Sequence, residues 1–187
     1  VVEGERHLEV DAGSSTVAFM ETVGHEQKLK SLIVQGSQII IDQNITVGDG
    51  FVTFKGDVEI NQSILLSNEG AAAITFLGHL NGQNDLEVFN KNERGSIVFA
   101  KSVGGNVALQ SLNLKTKNAI EFPSQVDVSH LITTSPTLTF ADEVVVRHQV
   151  IAHNVIAKGK YRSVRFLGDG QFSGIAAFDR ISSLVLG

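Results

Sequence analysis

The chain of 187 residues contains no cysteine, no tryptophan, two prolines and one methionine. Without a thiol there is no disulfide framework, no thiolate nucleophile and no cysteine-based metal site. Cations are also in the minority: 15 Lys and Arg stand against 20 Asp and Glu, a net charge of −5. A mildly acidic chain lacks the electrostatic footprint of a nucleic-acid binder. No apolar run approaches the roughly 18 residues of a membrane-spanning helix. The first residues, Val1-Val2-Glu3-Gly4-Glu5-Arg6, lack the basic and apolar regions of a signal peptide. The chain begins without Met and ends on Leu184-Val185-Leu186-Gly187, so it reads as a segment of a longer protein.

Apolar residues make up 42% of the chain, enough for a core and against disorder. Helical spacing is almost absent. Short runs rich in Val, Ile, Thr and Phe dominate, among them Gln38-Ile39-Ile40-Ile41-Asp42, Phe51-Val52-Thr53-Phe54, Ala73-Ile74-Thr75-Phe76 and Ser96-Ile97-Val98-Phe99. Such residues suit a pleated, half-buried surface. Clusters such as Gly48-Asp49-Gly50, Asn68-Glu69-Gly70, Gly104-Gly105-Asn106 and Gly168-Asp169-Gly170 separate them and read as turns. The pattern predicts an all-β protein of many short strands.

The strands recur. The residues that end successive runs are Phe19, Ile41, Phe54, Phe76, Phe99, Phe122, Phe140 and Phe166, spaced by about 21 residues on average. That spacing predicts a parallel β-helix solenoid of about 20–22 residues per turn and seven to nine turns, with the phenylalanines stacked as an interior ladder. Two prolines suit ladder strands, which need their backbone donors. An antiparallel β-sandwich, which also has short strands at regular spacing, is the alternative. A longer repeat overlies the short one. Segment 16–42 aligns with segment 96–122, pairing Phe19 with Phe99, Val23 with Val103, Gly24 with Gly104 and Leu32 with Leu112. Matches at His7–Val10 with Asp85–Val88, and at Ile74–Gly78 with Val164–Gly168, extend it. The chain therefore reads as a single solenoid segment over 1–187 with an internal duplication of about 7–78 and 85–168, the drifting offset absorbed by small loop insertions.

The run Ile74-Thr75-Phe76-Leu77-Gly78-His79-Leu80-Asn81-Gly82, leading to Leu86-Glu87-Val88, and the run Ile97-Val98-Phe99-Ala100-Lys101-Ser102-Val103-Gly104-Gly105, leading to Leu109-Gln110-Ser111-Leu112-Asn113-Leu114, resemble passenger-domain repeats of large bacterial surface proteins. These are autotransporter passengers, outer-membrane surface antigens and filamentous-haemagglutinin-like exoproteins. The resemblance covers nearly the whole chain and is a repeat grammar rather than a catalytic signature. It implies a right-handed parallel β-helix, secreted and displayed extracellularly on the bacterial surface, serving adhesion, a surface coat or virulence. The absence of cysteine agrees with export of an unfolded chain.

Little in the sequence points to chemistry. His148 and His153 lie five apart, which on one strand puts them on opposite faces and prevents a shared metal. Gly48-Asp49-Gly50 and Gly168-Asp169-Gly170 lack the density of carboxylates that calcium needs and read as turns. There is neither a G-x-S-x-G elbow nor a phosphate-binding glycine loop, and no cofactor is expected. A β-helix lyase or hydrolase, the enzyme alternative, would draw on Asp127, Asp142, Glu143 and Arg147, which fall on successive predicted turns. The sequence reads more simply as a non-enzymatic structural and adhesive segment. Its one candidate binding surface is the basic stretch with Lys158, Lys160, Tyr161, Arg162 and Arg165, suited to an anionic glycan or lipid surface. The expected partners are a host or neighbouring-cell surface receptor or glycan, neighbouring solenoid segments of the same chain, and further copies joined end to end as a self-assembling fibre.

Overall fold

The computed structural model describes residues 2–158, 163–179 and 183–187. Those residues form twenty strands and no helix, and all the strand pairs are parallel. The chain is a β-solenoid of about 9 turns. Parallel pairing throughout excludes the antiparallel sandwich.

Each coil crosses three faces. The first face is crossed by β1 (His7–Asp11), the front of β3 (Ser31–Ile41), the front of β5 (Val52–Ile60), β7 (Ile74–Phe76), β10 (Ile97–Phe99), β12 (Ile120–Phe122), β14 (Thr137–Phe140), β16 (Asn154–Lys158) and β19 (Ala176–Asp179). These strands number coils one to nine. The second face takes β2 (Thr16–Phe19), the rear of β3 and β5, β8 (Leu80–Gly82), the front of β13 (Val126–Thr133) and of β15 (Val144–Ala152), β17 (Ser163–Phe166) and β20 (Ser183–Leu186). The third face takes β4 (Ile45–Val47), β6 (Ile64–Asn68), β9 (Asp85–Asn90), β11 (Leu109–Lys115), the rear of β13 and β15, and β18 (Asp169–Phe172). Long strands turn a corner by a register shift, between Gln35 and Gln38 in β3 and opposite Val128/His130 in β15. Such shifts bend a strand sharply.

The alternating pattern of most strands now has a direct cause. One set of side chains enters a single interior running the length of the solenoid, and the other set faces out. On the first face, Phe54, Phe76, Phe99, Phe122 and Phe140 stack in one column with ring centroids 5.1–5.3 Å apart. The column runs from Val10 and Val34 below to Ala157 and Phe178 above. Coil length in it varies from 24 residues (Val10 to Val34) to 17 (Phe140 to Ala157), wider than the predicted 20–22.

Three members of the predicted ladder belong elsewhere. Phe19 and Ile41 pair with each other and with Ile60 on the second face. Phe166 sits opposite Val146, also on the second face, and meets Phe178 edge-on. Ends of apolar runs mark corners as well as coils, so counting them mixes faces. The same holds for the longer match. Gly24 and Gly104 both take positive φ (68° and 72°) after the matching Val23 and Val103. Phe19, however, lies on the second face and Phe99 on the first, so the two segments follow like paths on neighbouring faces.

A second interior column is polar. At the corner after the third face, Asn68, Asn90, Thr116 and Ser135 are all buried. Asn68 Nδ2 donates to the carbonyls of Gly50 (2.8 Å) and Ala72 (3.0 Å), and Asn90 Nδ2 to those of Ala72 (2.8 Å) and Ser96 (3.3 Å). Thr116 Oγ1 donates to Gly95, and Ser135 Oγ to Asn118. These side chains satisfy carbonyls that the corner withdraws from the strand ladders.

Candidate functional site

The outward side chains distinguish the faces. On the second face the register shift in β15 turns both Arg147 and His148 outward. Arg147 Nη2 then reaches Asp127 Oδ2 one coil below, at 2.7 Å, so two of the four residues of the enzyme alternative do meet. The other two do not join them. Glu143 accepts from Ser163 Oγ at 2.9 Å, and Asp142 Oδ1 accepts the Glu143 N–H. A guanidinium engaged by a carboxylate in this way holds neighbouring coils together.

The five residues of the basic stretch are only partly placed. Arg165 is exposed on β17, opposite Val145. Lys158 ends β16, in register with Asp179 of β19. Lys160, Tyr161 and Arg162 lie outside the described residues. His148 stands 5.4 Å from the ring of His130 on the adjacent coil, whereas His153 lies beyond the end of β15 and contacts Ser173 Oγ through Nδ1 at 2.8 Å. The expected placement of these histidines on opposite sides of one strand gives way to a bulge and a strand end. Two like contacts join His7 to Ser31 (2.5 Å) and His79 to Ser102 (2.6 Å).

Sequence reasoning missed two polar clusters built across coils. The first is a recess of about 300 Å³ on the second face, lined by Gln38, Asp57, Glu59, Asn81 and Asn106. Gln38 Nε2 donates to Glu59 Oε2 at 2.5 Å, and Asn81 Oδ1 accepts the N–H groups of Asn106 and Val107, fixing the loop that walls the recess. The second is a cation–carboxylate chain near the polar corner. Glu69 on coil three accepts from Lys28 of coil one, two coils below, at 2.6 Å and from Lys91 of coil four. The Lys28 ammonium, then that of Lys91, hold the Glu69 carboxyl below its ordinary value. Members of the two clusters lie about one or two coils apart in sequence, a separation that shows only when the register is known.

Comparison with known proteins returns no matching family model, no matching curated protein and no matching solved structure.

Proposed function

We propose that this chain is a structural and adhesive rod of a secreted bacterial cell-surface protein, in the manner of an autotransporter passenger. The observation that carries this reading is the uninterrupted interior, with a continuous apolar column through coils stacked in sequence order. Each added coil extends such a body by about 4.8 Å without a new core, so reach is set by coil number. Contact is left to outward side chains, which differ between faces and change freely without disturbing the interior. The partner is a receptor or glycan on a host or neighbouring cell, met in part by the basic stretch at Lys158, Lys160, Tyr161, Arg162 and Arg165.

The test is attachment of the purified, fluorescently labelled chain to cells and to immobilised acidic glycans. Attachment is expected, and reversing Lys158, Lys160 and Arg162 to Glu together is expected to abolish it. Absence of attachment to every surface would overturn the adhesive reading. Full attachment by the triple variant would remove the basic stretch from it.

A further inference from the structure

The first face carries little charge, unlike the second, where Asp57, Glu59, Asp127, Glu143 and Arg147 face out. Over coils two to seven its outward positions form three columns: Ser31, Phe51, Ala73, Ser96, Ala119 and Thr137; Ile33, Thr53, Thr75, Val98, Glu121 and Thr139; and Gln35, Lys55, Leu77, Ala100, Pro123 and Ala141. Lys55 and Glu121 are the two charged groups among these eighteen. Three large apolar side chains stand out from this surface, Phe51 at 39%, Leu77 at 43% and Val98 at 40% exposure. A flat, uncharged sheet face with projecting apolar groups is the signature of a contact surface.

We infer that this face joins two antiparallel copies of the chain about a two-fold axis that lies in the contact plane, along the strands, between coils four and five. Three independent features select this partner and this axis. The first is charge. Lys55 on coil three and Glu121 on coil six are about 14 Å apart within one chain, too far to pair. Neither has an ion-pair partner among the described residues. The axis lays coil six of one copy over coil three of the other, one column aside, within reach of these long side chains across two sheets about 10 Å apart. Both pairs form at once, because an isologous contact is made twice.

The second feature is shape. The same operation sets Phe51 over the partner's Ala119, Leu77 over the partner's Ala100, Ile33 over the partner's Thr139 and Gln35 over the partner's Ala141. In these four pairs the larger group lies on coils two to four and the smaller on coils five to seven, and Val98 of coil five meets the partner's Thr75, so the surface pairs large with small groups of its own inverted copy. Between coils five and six the backbone ladder is interrupted: β10 ends one sheet and β12 begins another, although Phe99 and Phe122 still stack. A recess of about 470 Å³ opens at this seam, lined by Ser96, Val98, Ala119, Glu121 and Pro123. It is where the partner's Phe51 ring comes to lie.

The third feature is the charge of the chain as a whole. Residues 1–93 carry 14 acids and 5 bases, net −9, and residues 94–187 carry 6 acids and 10 bases, net +4. Coils follow sequence order, so an antiparallel pair opposes unlike halves and a parallel pair opposes like ones. The face measures about 29 by 17 Å, which buries about 1,000 Å² over both copies, the lower bound of a specific interface.

Sedimentation equilibrium of the 1–187 chain is expected to show a monomer–dimer equilibrium. Lys55→Glu and Glu121→Lys should each raise its dissociation constant on the order of tenfold, and the double variant should restore it. A wild-type chain that stays monomeric to about 200 µM overturns the inference, as does a double variant no tighter than the single ones. Because the protein has no cysteine of its own, Lys55→Cys and Glu121→Cys chains can be mixed and oxidised. The antiparallel dimer yields the mixed disulfide ahead of either symmetric one. Preference for the symmetric Lys55→Cys product overturns it. Melting curves of each variant confirm that loss of association is not loss of fold.

Discussion

Phe99 occupies the middle of a stack, with Phe76 at 5.2 Å on one side and Phe122 at 5.1 Å on the other. Its ring also bridges the seam where β10 and β12 do not pair, so it holds two sheets together by packing alone. Phe99→Ala removes contacts from both neighbours in an interior that cannot collapse without shifting whole coils. The expected cost is about 3–5 kcal/mol, read as a lowered denaturation midpoint. Phe166, whose ring meets Phe172 and Phe178 only at an angle near the last coil, is expected to cost less on the same substitution. An equal effect at the two positions would mean that the stack is no more than ordinary burial. Gly56 shows the same closeness in the backbone: a Cβ there would press on the carbonyl oxygen of Gly36 one coil below. The corner accepts no side chain at that point.

At the scale of elements, the corner columns decide how strands end. Asn90 Nδ2 donates to two carbonyls at once, Ala72 and Ser96, while its own Oδ1 accepts the Asn92 N–H. Asn90→Ala removes one donor from each, Ala72 keeping Asn68 Nδ2 and Ser96 keeping the Ile74 N–H, at an expected cost of about 0.5–1.5 kcal/mol. Hydrogen exchange should show the loss first at the amides of β9 and β11, the strands that share this corner. Protection there equal to that of the parent chain would show that water takes over the role of the side chain. This column also marks the boundary of what the sequence discloses. Alternation of Val, Ile and Phe with polar residues, punctuated by Gly and Asn, is enough to predict strands, stacking and a phenylalanine ladder, of whose eight expected members five form the column. Asn68 reads as a turn residue, because a buried amide and a solvated one are identical in sequence. Face assignment was illegible for a related reason. A solenoid core asks only for an apolar side chain at each inward position, so Phe19 on one face and Phe99 on another leave the same local trace. The cross-coil contacts Gln38–Glu59, Asp127–Arg147 and Lys28–Glu69–Lys91 depend on register, which loops of varying length conceal.

For the whole molecule, ties between coils set the response to acid. Glu69 binds Lys28 and Lys91, and its carboxyl is held below its ordinary value of 4.5 chiefly by the Lys28 hydrogen bond. A group whose folded value is depressed adds stability that is complete above its unfolded value and lost as pH falls through the folded one. The contribution of this partly exposed chain is therefore present at neutral pH and disappears below pH 4.5. It amounts to about 1 kcal/mol or less. Glu69→Gln should lower the melting temperature at pH 7 and leave it nearly unchanged at pH 3 relative to the parent. A constant difference at both values would assign the effect to packing instead. High salt should reduce the difference at neutral pH, as it does for exposed ion pairs.

The matched segments 16–42 and 96–122 place Phe19 and Phe99 on different faces. Their offset carries the chain through three whole coils and two further faces. Equivalent outward side chains are thus arranged like treads of a spiral staircase, each about 18 Å above its counterpart and turned by a third of a revolution. A flat partner lying along the rod meets one tread of such a pair and never both. A flexible strand winding round the rod meets them in succession, so repetition in this sequence multiplies contacts only for partners able to wrap.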